Sequence, residues 1–119
     1  MMSEVKDTQQ KTSMDYYREA WILHGSKKDE VAAEQNFRNA IDADPKNIDA
    51  HYGLGLLLKS QERNQESIQS FQKVIDLLSA EEQPDRGRAE MLRRLALANI
   101  NQIKTGDWNL EGEIWKHTR

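Results

Sequence analysis

Residues 48–78 read IDAHYGLGLLLKSQERNQESIQSFQKVIDLL, and the rest of the chain is best understood outward from them. The stretch opens on an apolar run with glycines at 53 and 55, passes through a polar break at residues 60–64, and resumes with Ser67, Phe71 and Val74. The positions 67, 71 and 74 fall on one side of a helix, since residues three and four apart are neighbours on its surface. Two helices joined by a short polar turn follow from this pattern. A shift of 34 residues repeats it upstream. Phe37 then aligns with Phe71, Ile41 with Ile75, Asp42 with Asp76, Gln35 with Gln69, Asp15 with Asp49 and Ser26 with Ser60. Chance supplies a few such matches, but not at helical spacing around one aromatic.

The residues at this period resemble the tetratricopeptide repeat, a helix–turn–helix unit of about 34 residues. The second repeat reads His51, Leu54–Gly55 and Leu58 in its first helix, then Ser67, Phe71 and Val74 in its second. In the first repeat the same slots hold Tyr17, Ala20–Trp21 and His24, then Ala33, Phe37, Ala40 and the closing Pro45. Gly55, Ala33 and Ser67 are small where helices approach closely, and Phe37 and Phe71 fill the space between hairpins. Trp21 stands where the family has a small residue, which implies looser packing of the first helix or a shift by a turn. A third unit is irregular. Matching Leu92, Leu95–Ala96 and Asn99 starts it at residue 89, seven residues beyond the period, whereas counting back from Gly106–Asp107–Trp108 starts it at 92.

The expected fold is therefore all-α: a tetratricopeptide-type superhelical stack of three antiparallel helix hairpins. Helices are expected over 14–26, 30–43, 48–60, 64–78, 85–104 and 107–118, with Asp29, Asn64 and Asp107 as N-caps and Pro84 as a first helical residue. The last helix carries Trp108, Leu110, Ile114 and Trp115, of which Ile114 and Trp115 are expected to cover the long helix before it. Residues 1–13 read as a flexible polar leader. Residues 14–119 read as a single domain with repeats at about 14–47 and 48–81 and the irregular unit at 84–119.

Composition bounds the function. The chain has 119 residues, 31% of them charged, a net charge of −3, two prolines and no cysteine. Disulfides, thiol catalysis and cysteine metal sites are thereby removed. No apolar run approaches the roughly 18 residues of a membrane span, and residues 1–13 lack the features of a secretory signal or transit peptide. A cytoplasmic protein is the default. His24, His51 and His117 are scattered, the first two at helix-packing slots. No glycine-framed nucleophile or phosphate-cradling loop occurs, Gly53-x-Gly55 lying inside a helix. No enzyme activity, metal or cofactor is expected. Arg86, Arg88, Arg93 and Arg94 read first as a solvated face interleaved with Asp85 and Glu90, and second as a surface for an acidic peptide. Nucleic acid is not expected, because no aromatics interleave the basic residues.

The resemblance also implies a concave groove lined by positions 2, 5, 9 and 12 of each first helix. These are Asp15, Arg18, Ile22 and Gly25, then Asp49, Tyr52, Leu56 and Lys59. In the third unit Arg93 lands on the groove in either register, followed by Leu97 or Ile100. An apolar stripe flanked by Arg18, Tyr52, Lys59 and Arg93 is suited to a partner peptide or helix with an acidic element. The carboxylate clamp by which some members hold chaperone tails is not implied, since Ile22 and Gly53 replace its asparagines. The expected function is a non-catalytic protein–protein interaction module or scaffold. Its alternatives are a self-association domain forming a homo-oligomer and a regulatory or substrate-positioning subunit of a larger enzyme complex.

Overall fold

The computed structural model describes residues 10–106, and among them it holds five α-helices and no strand. We number them α1 (Ser13–Gly25), α2 (Glu30–Ala43), α3 (Ile48–Ser60), α4 (Asn64–Ala80) and α5 (Arg86–Thr105). The chain is all-α, as its helical periodicity requires. The helix expected over 107–118, its N-cap Asp107 and the cover expected from Ile114 and Trp115 lie outside the described residues. So does the expected leader as far as residue 9.

Four of the five described helices begin where a short polar side chain takes up a free backbone N–H. Thr12 caps α1 in a reciprocal box: its hydroxyl accepts from Asp15 N at 3.2 Å, and Asp15 Oδ2 accepts from Thr12 N at 2.9 Å. Asp29 caps α2 by accepting from Ala32 N at 3.1 Å. Asn47 does the same for α3 by accepting from Ala50 N at 3.0 Å. Two expectations need correction. Asn64 is not the N-cap of α4 but its first helical residue, because the cap falls on Arg63, whose side chain makes no capping bond. The Arg63 guanidinium instead reaches Glu66 at 2.9 and 3.0 Å. Pro84 is likewise not helical. Asp85 is the cap, accepting from Arg88 N at 3.0 Å, so α5 starts one residue later than expected.

The chain forms two compact units, Met1–Ala50 and His51–Arg119. In the first, α1 packs along α2 around Ala20, Ala33, Phe37 and Ala40, all without solvent exposure. Ser13 Oγ donates to Ala40 O at 2.7 Å and accepts from Asn47 Nδ2 at 2.7 Å, tying the start of α1 to the end of α2. Trp21 is accommodated by aromatic edges. Its ring meets Phe37 at 5.2 Å and 85°, and Tyr17 meets Phe37 at 6.2 Å, geometries that favour ring quadrupoles.

In the second unit α4 packs along α5, and α3 meets α4 through Gly55 and Tyr52. Ser67 Oγ donates to Gly55 O at 2.8 Å, and the Phe71 ring lies directly against Gly55. Gly55 thus admits a ring, where the sequence suggested only a close backbone approach. The repeat is also visible in the turns. Lys28 (φ 53°) and Glu62 (φ 60°), one period apart, both take the left-handed conformation ahead of a second helix.

Candidate binding surface

Helix α3 divides cleanly into two sides. His51, Leu54, Gly55, Leu57 and Leu58 are buried and form its packing side. Tyr52, Leu56 and Lys59, spaced four and three apart, share another side and are each half-buried.

Helix α5 contributes Asn99 to this side of α3. Asn99 is only 2% exposed, yet its amide is bonded at both Nδ2 and Oδ1. Its Nδ2 donates to Leu95 O at 2.9 Å and to the Tyr52 hydroxyl at 3.3 Å, and its Oδ1 accepts from Lys59 Nζ at 2.9 Å. The carbonyl partner requires Nδ2 and the ammonium requires Oδ1, so the amide can face only one way. Asn99 therefore bridges two residues that stand about 10 Å apart along α3. Burial raises the Tyr52 phenol above its ordinary value, partly offset by the Asn99 bond. Burial also lowers the Lys59 ammonium. Tyr52 is braced from below by Phe71, edge-on at 5.5 Å.

The turn-by-turn geometry of α5 then places Leu95 and Met91 one and two turns before Asn99 on the same side of the helix. Both are unusually open for large apolar residues, at 40% and 51%. The repeat pattern put Leu95 in a packing slot and did not point to Met91. The openness of an apolar pair beside a saturated buried amide is visible only once the rotation of α5 is known.

The other expected groove residues are placed as follows. Ile100 is buried at 8% exposure and serves the core with Leu92 and Ala96. Leu97 is half-buried. Arg93 is exposed and pairs with Glu90 at 3.4 Å. It lines a separate cleft of about 380 Å3 between the end of α4 and the start of α5, together with Leu78, Glu81, Arg86 and Glu90. In the first unit, Arg18 is exposed and bonded to Asp15 at 3.3 Å, and Ile22 is 46% exposed.

Among the described residues no acid–base or metal constellation forms around His24 or His51, and His117 lies outside them. His24 Nδ1 lies 2.8 Å from Glu30 Oε1, and His51 is buried on α3. Among the described residues no group of histidine and carboxylate side chains converges as for a metal ion, and no helix is long and apolar enough to cross a membrane.

The family model of the tetratricopeptide repeat matches residues 48–77, the span of α3, its turn and most of α4. The chain carries a tetratricopeptide repeat. No curated protein and no solved structure matches it. The matched repeat contains the Gly55–Phe71 contact and the Ser67 bond that join α3 to α4. Tetratricopeptide repeats are in general non-catalytic units of protein interaction.

Proposed function

We propose that this tetratricopeptide-repeat protein is a non-catalytic module that binds a segment of another protein, a peptide or a helix, on the wall formed by α3 and α5. The observation that carries the reading is Leu56. It lies half-open between Tyr52 and Lys59 on the side of α3 that its own core does not use, with Asn99 of α5 across from it. Leu95 and Met91 extend the apolar character along α5. An apolar strip edged by polar groups is the usual character of a helix- or peptide-receiving surface. Arg93 and Leu97 lie on α5 beside these residues, while Arg18 and Ile22 hold the equivalent positions of the first repeat, which is proposed as a surface of its own. The protein acts in the cytoplasm on this reading, consistent with its lack of cysteine.

The test compares stability and capture in one variant. Leu56→Glu should leave the melting temperature nearly unchanged, since substitutions outside the core alter stability by about 0.5 kcal/mol or less. It should abolish co-purification of the partner from native extract, identified by mass spectrometry, because a charge facing an apolar partner is left uncompensated. A folded variant that captures the same partner would place the binding site elsewhere.

The openness of Met91 and Leu95 supports a second reading, self-association through α5. Light scattering on the eluting protein decides it: a concentration-dependent dimer that Leu95→Glu dissociates would replace the first reading.

A further inference from the structure

Resting on the second of those readings, self-association through α5, we infer that the chain associates head to tail. The open strip of α5 on one copy is covered by the outer side of α2 on a second copy. The strip consists of Met91, Leu95, Ala98 and Gln102, spaced four, three and four apart and therefore on one side of α5. It runs for about 16 Å, and none of its four residues is buried. Arg88 and Arg94 stand three residues to either side of Met91 and edge the strip with positive charge.

Charge selects the occupant. Helix α5 carries Arg86, Arg88, Arg93, Arg94 and Lys104 against the single carboxylate Glu90. A symmetric pairing of α5 with α5 would bring two such cationic helices together, and like charges across an interface oppose binding. Helix α2 has the opposite sign, with Glu30, Glu34 and Asp42 against the single cation Arg38, and is the most acidic of the five described helices. It also offers a strip of matching length. Val31, Glu34, Arg38 and Ile41 follow spacings of three, four and three along one side, over about 15 Å. Val31, at 82%, is the most exposed large apolar side chain among the described residues, and Ile41 is half-buried. Between them Glu34 and Arg38 pair at 2.9 Å, while Glu30 and Asp42 stand one turn outside that pair at either end. The strip of α2 thus sets apolar side chains toward Met91 and Leu95 and carboxylates toward the arginines that edge them. Because the two surfaces differ, each copy keeps one of them unused, and association continues past the dimer.

The experiment measures mass by light scattering over a range of concentrations for the full chain, Val31→Lys, Leu95→Glu and an equal mixture of the two variants. Circular dichroism checks that each variant is helical, as substitution at an exposed position should leave it. The wild-type mass should rise with concentration past that of a dimer. Either variant alone should stay monomeric where the wild type associates, since Val31→Lys sets a cation against α5 and Leu95→Glu a carboxylate against α2. The mixture should associate again, because the intact α5 of Val31→Lys meets the intact α2 of Leu95→Glu. Raising the salt should weaken wild-type association several-fold. If Val31→Lys associates like the wild type while Leu95→Glu does not, the contact is α5 on α5: self-association stands and the head-to-tail pairing falls. A mixture of helical variants that stays monomeric, or an association indifferent to salt, also overturns the pairing. A wild type that is monomeric at every concentration overturns both, and the cover of α5 is then residues 107–119 or a different protein.

Discussion

A Cβ atom added to Gly55 would stand 2.9 Å from Cε1 of Phe71, 3.0 Å from Cζ and 3.1 Å from Cδ1. Phe71 has no solvent exposure, and the Tyr52 ring lies edge-on to it at 5.5 Å, so its ring has little room to retreat. Gly55→Ala should therefore destabilise the protein by about 1–3 kcal/mol through overpacking, despite the better helix propensity of alanine. Phe71→Ala should cost about 3–5 kcal/mol by leaving a cavity. Urea unfolding followed by circular dichroism checks both. Combining Gly55→Ala with Phe71→Leu should cost less than the sum of the two single changes, because a smaller side chain leaves space for the methyl.

Lys28 and Glu62 occupy the same point of successive turns and both have positive φ, at 53° and 60°. A left-handed conformation costs an ordinary residue roughly 1–2 kcal/mol, whereas glycine adopts it freely. Glycine also loses more entropy on folding, which returns part of the gain. Lys28→Gly and Glu62→Gly should each raise stability by up to about 1 kcal/mol. A fall in the urea midpoint for either would mean that its side chain makes a compensating contact.

The repeat core was legible because it depends on few residues with unmistakable spacing. Phe37, Phe71, Ala33 and Ser67 recur at the period, and all four are without solvent exposure. Trp21 broke the pattern, and sequence could not show that aromatic edges would accommodate it. Helix α5 was harder for a physical reason. Leu92, Leu95, Ala96, Leu97, Ala98 and Ile100 spread apolar side chains around most of its circumference, so hydrophobic spacing does not fix its rotation. The irregular connection before it removes the register that a constant period supplies. Arg93 and Leu97 were therefore expected on the groove, while Asn99, which actually meets Tyr52 and Lys59, was assigned to a packing slot. Caps were legible where an aspartate leads the helix, as at Asp29. At Asn64 the tight turn through Glu62 brings the chain into helix one residue early.

The capping box of α1 should make its start sensitive to acid. Asp15 is held below the ordinary carboxylate value, first by its bond from the Thr12 backbone, then by the Thr12 hydroxyl, with Arg18 and Lys11 contributing. A carboxylate with a folded pKa below its unfolded one stabilises the fold at pH above the unfolded value. That contribution fades as pH falls below about 4 and through the lowered folded value. Helicity should accordingly show a small acid-dependent loss at pH about 2–4, localised by hydrogen exchange to residues 13–16. In Asp15→Asn the loss at these amides should disappear, because the side chain no longer titrates.

Asn99 gives the last prediction, since it is the buried polar residue through which α5 holds two side chains of α3. Its amide is bonded at both Nδ2 and Oδ1, and replacing it removes an acceptor from a partly desolvated ammonium and a donor from a half-buried phenol oxygen. Asn99→Ala should cost about 1–3 kcal/mol, the usual penalty for stranding buried polar groups, plus the cavity. Asn99→Leu fills the volume and so isolates the polar term. It should remain folded and helical, yet leave Lys59 and Tyr52 without a common orienting group. Two measurements on Asn99→Leu separate the roles: urea unfolding for stability, and the rotational mobility of Lys59 Nζ and the Tyr52 ring by nuclear magnetic resonance. A stability loss without any gain in mobility at Lys59 or Tyr52 would show that Asn99 acts only as packing. Increased mobility at both side chains, with the fold intact, is the expected result, because Asn99 bonds both of them.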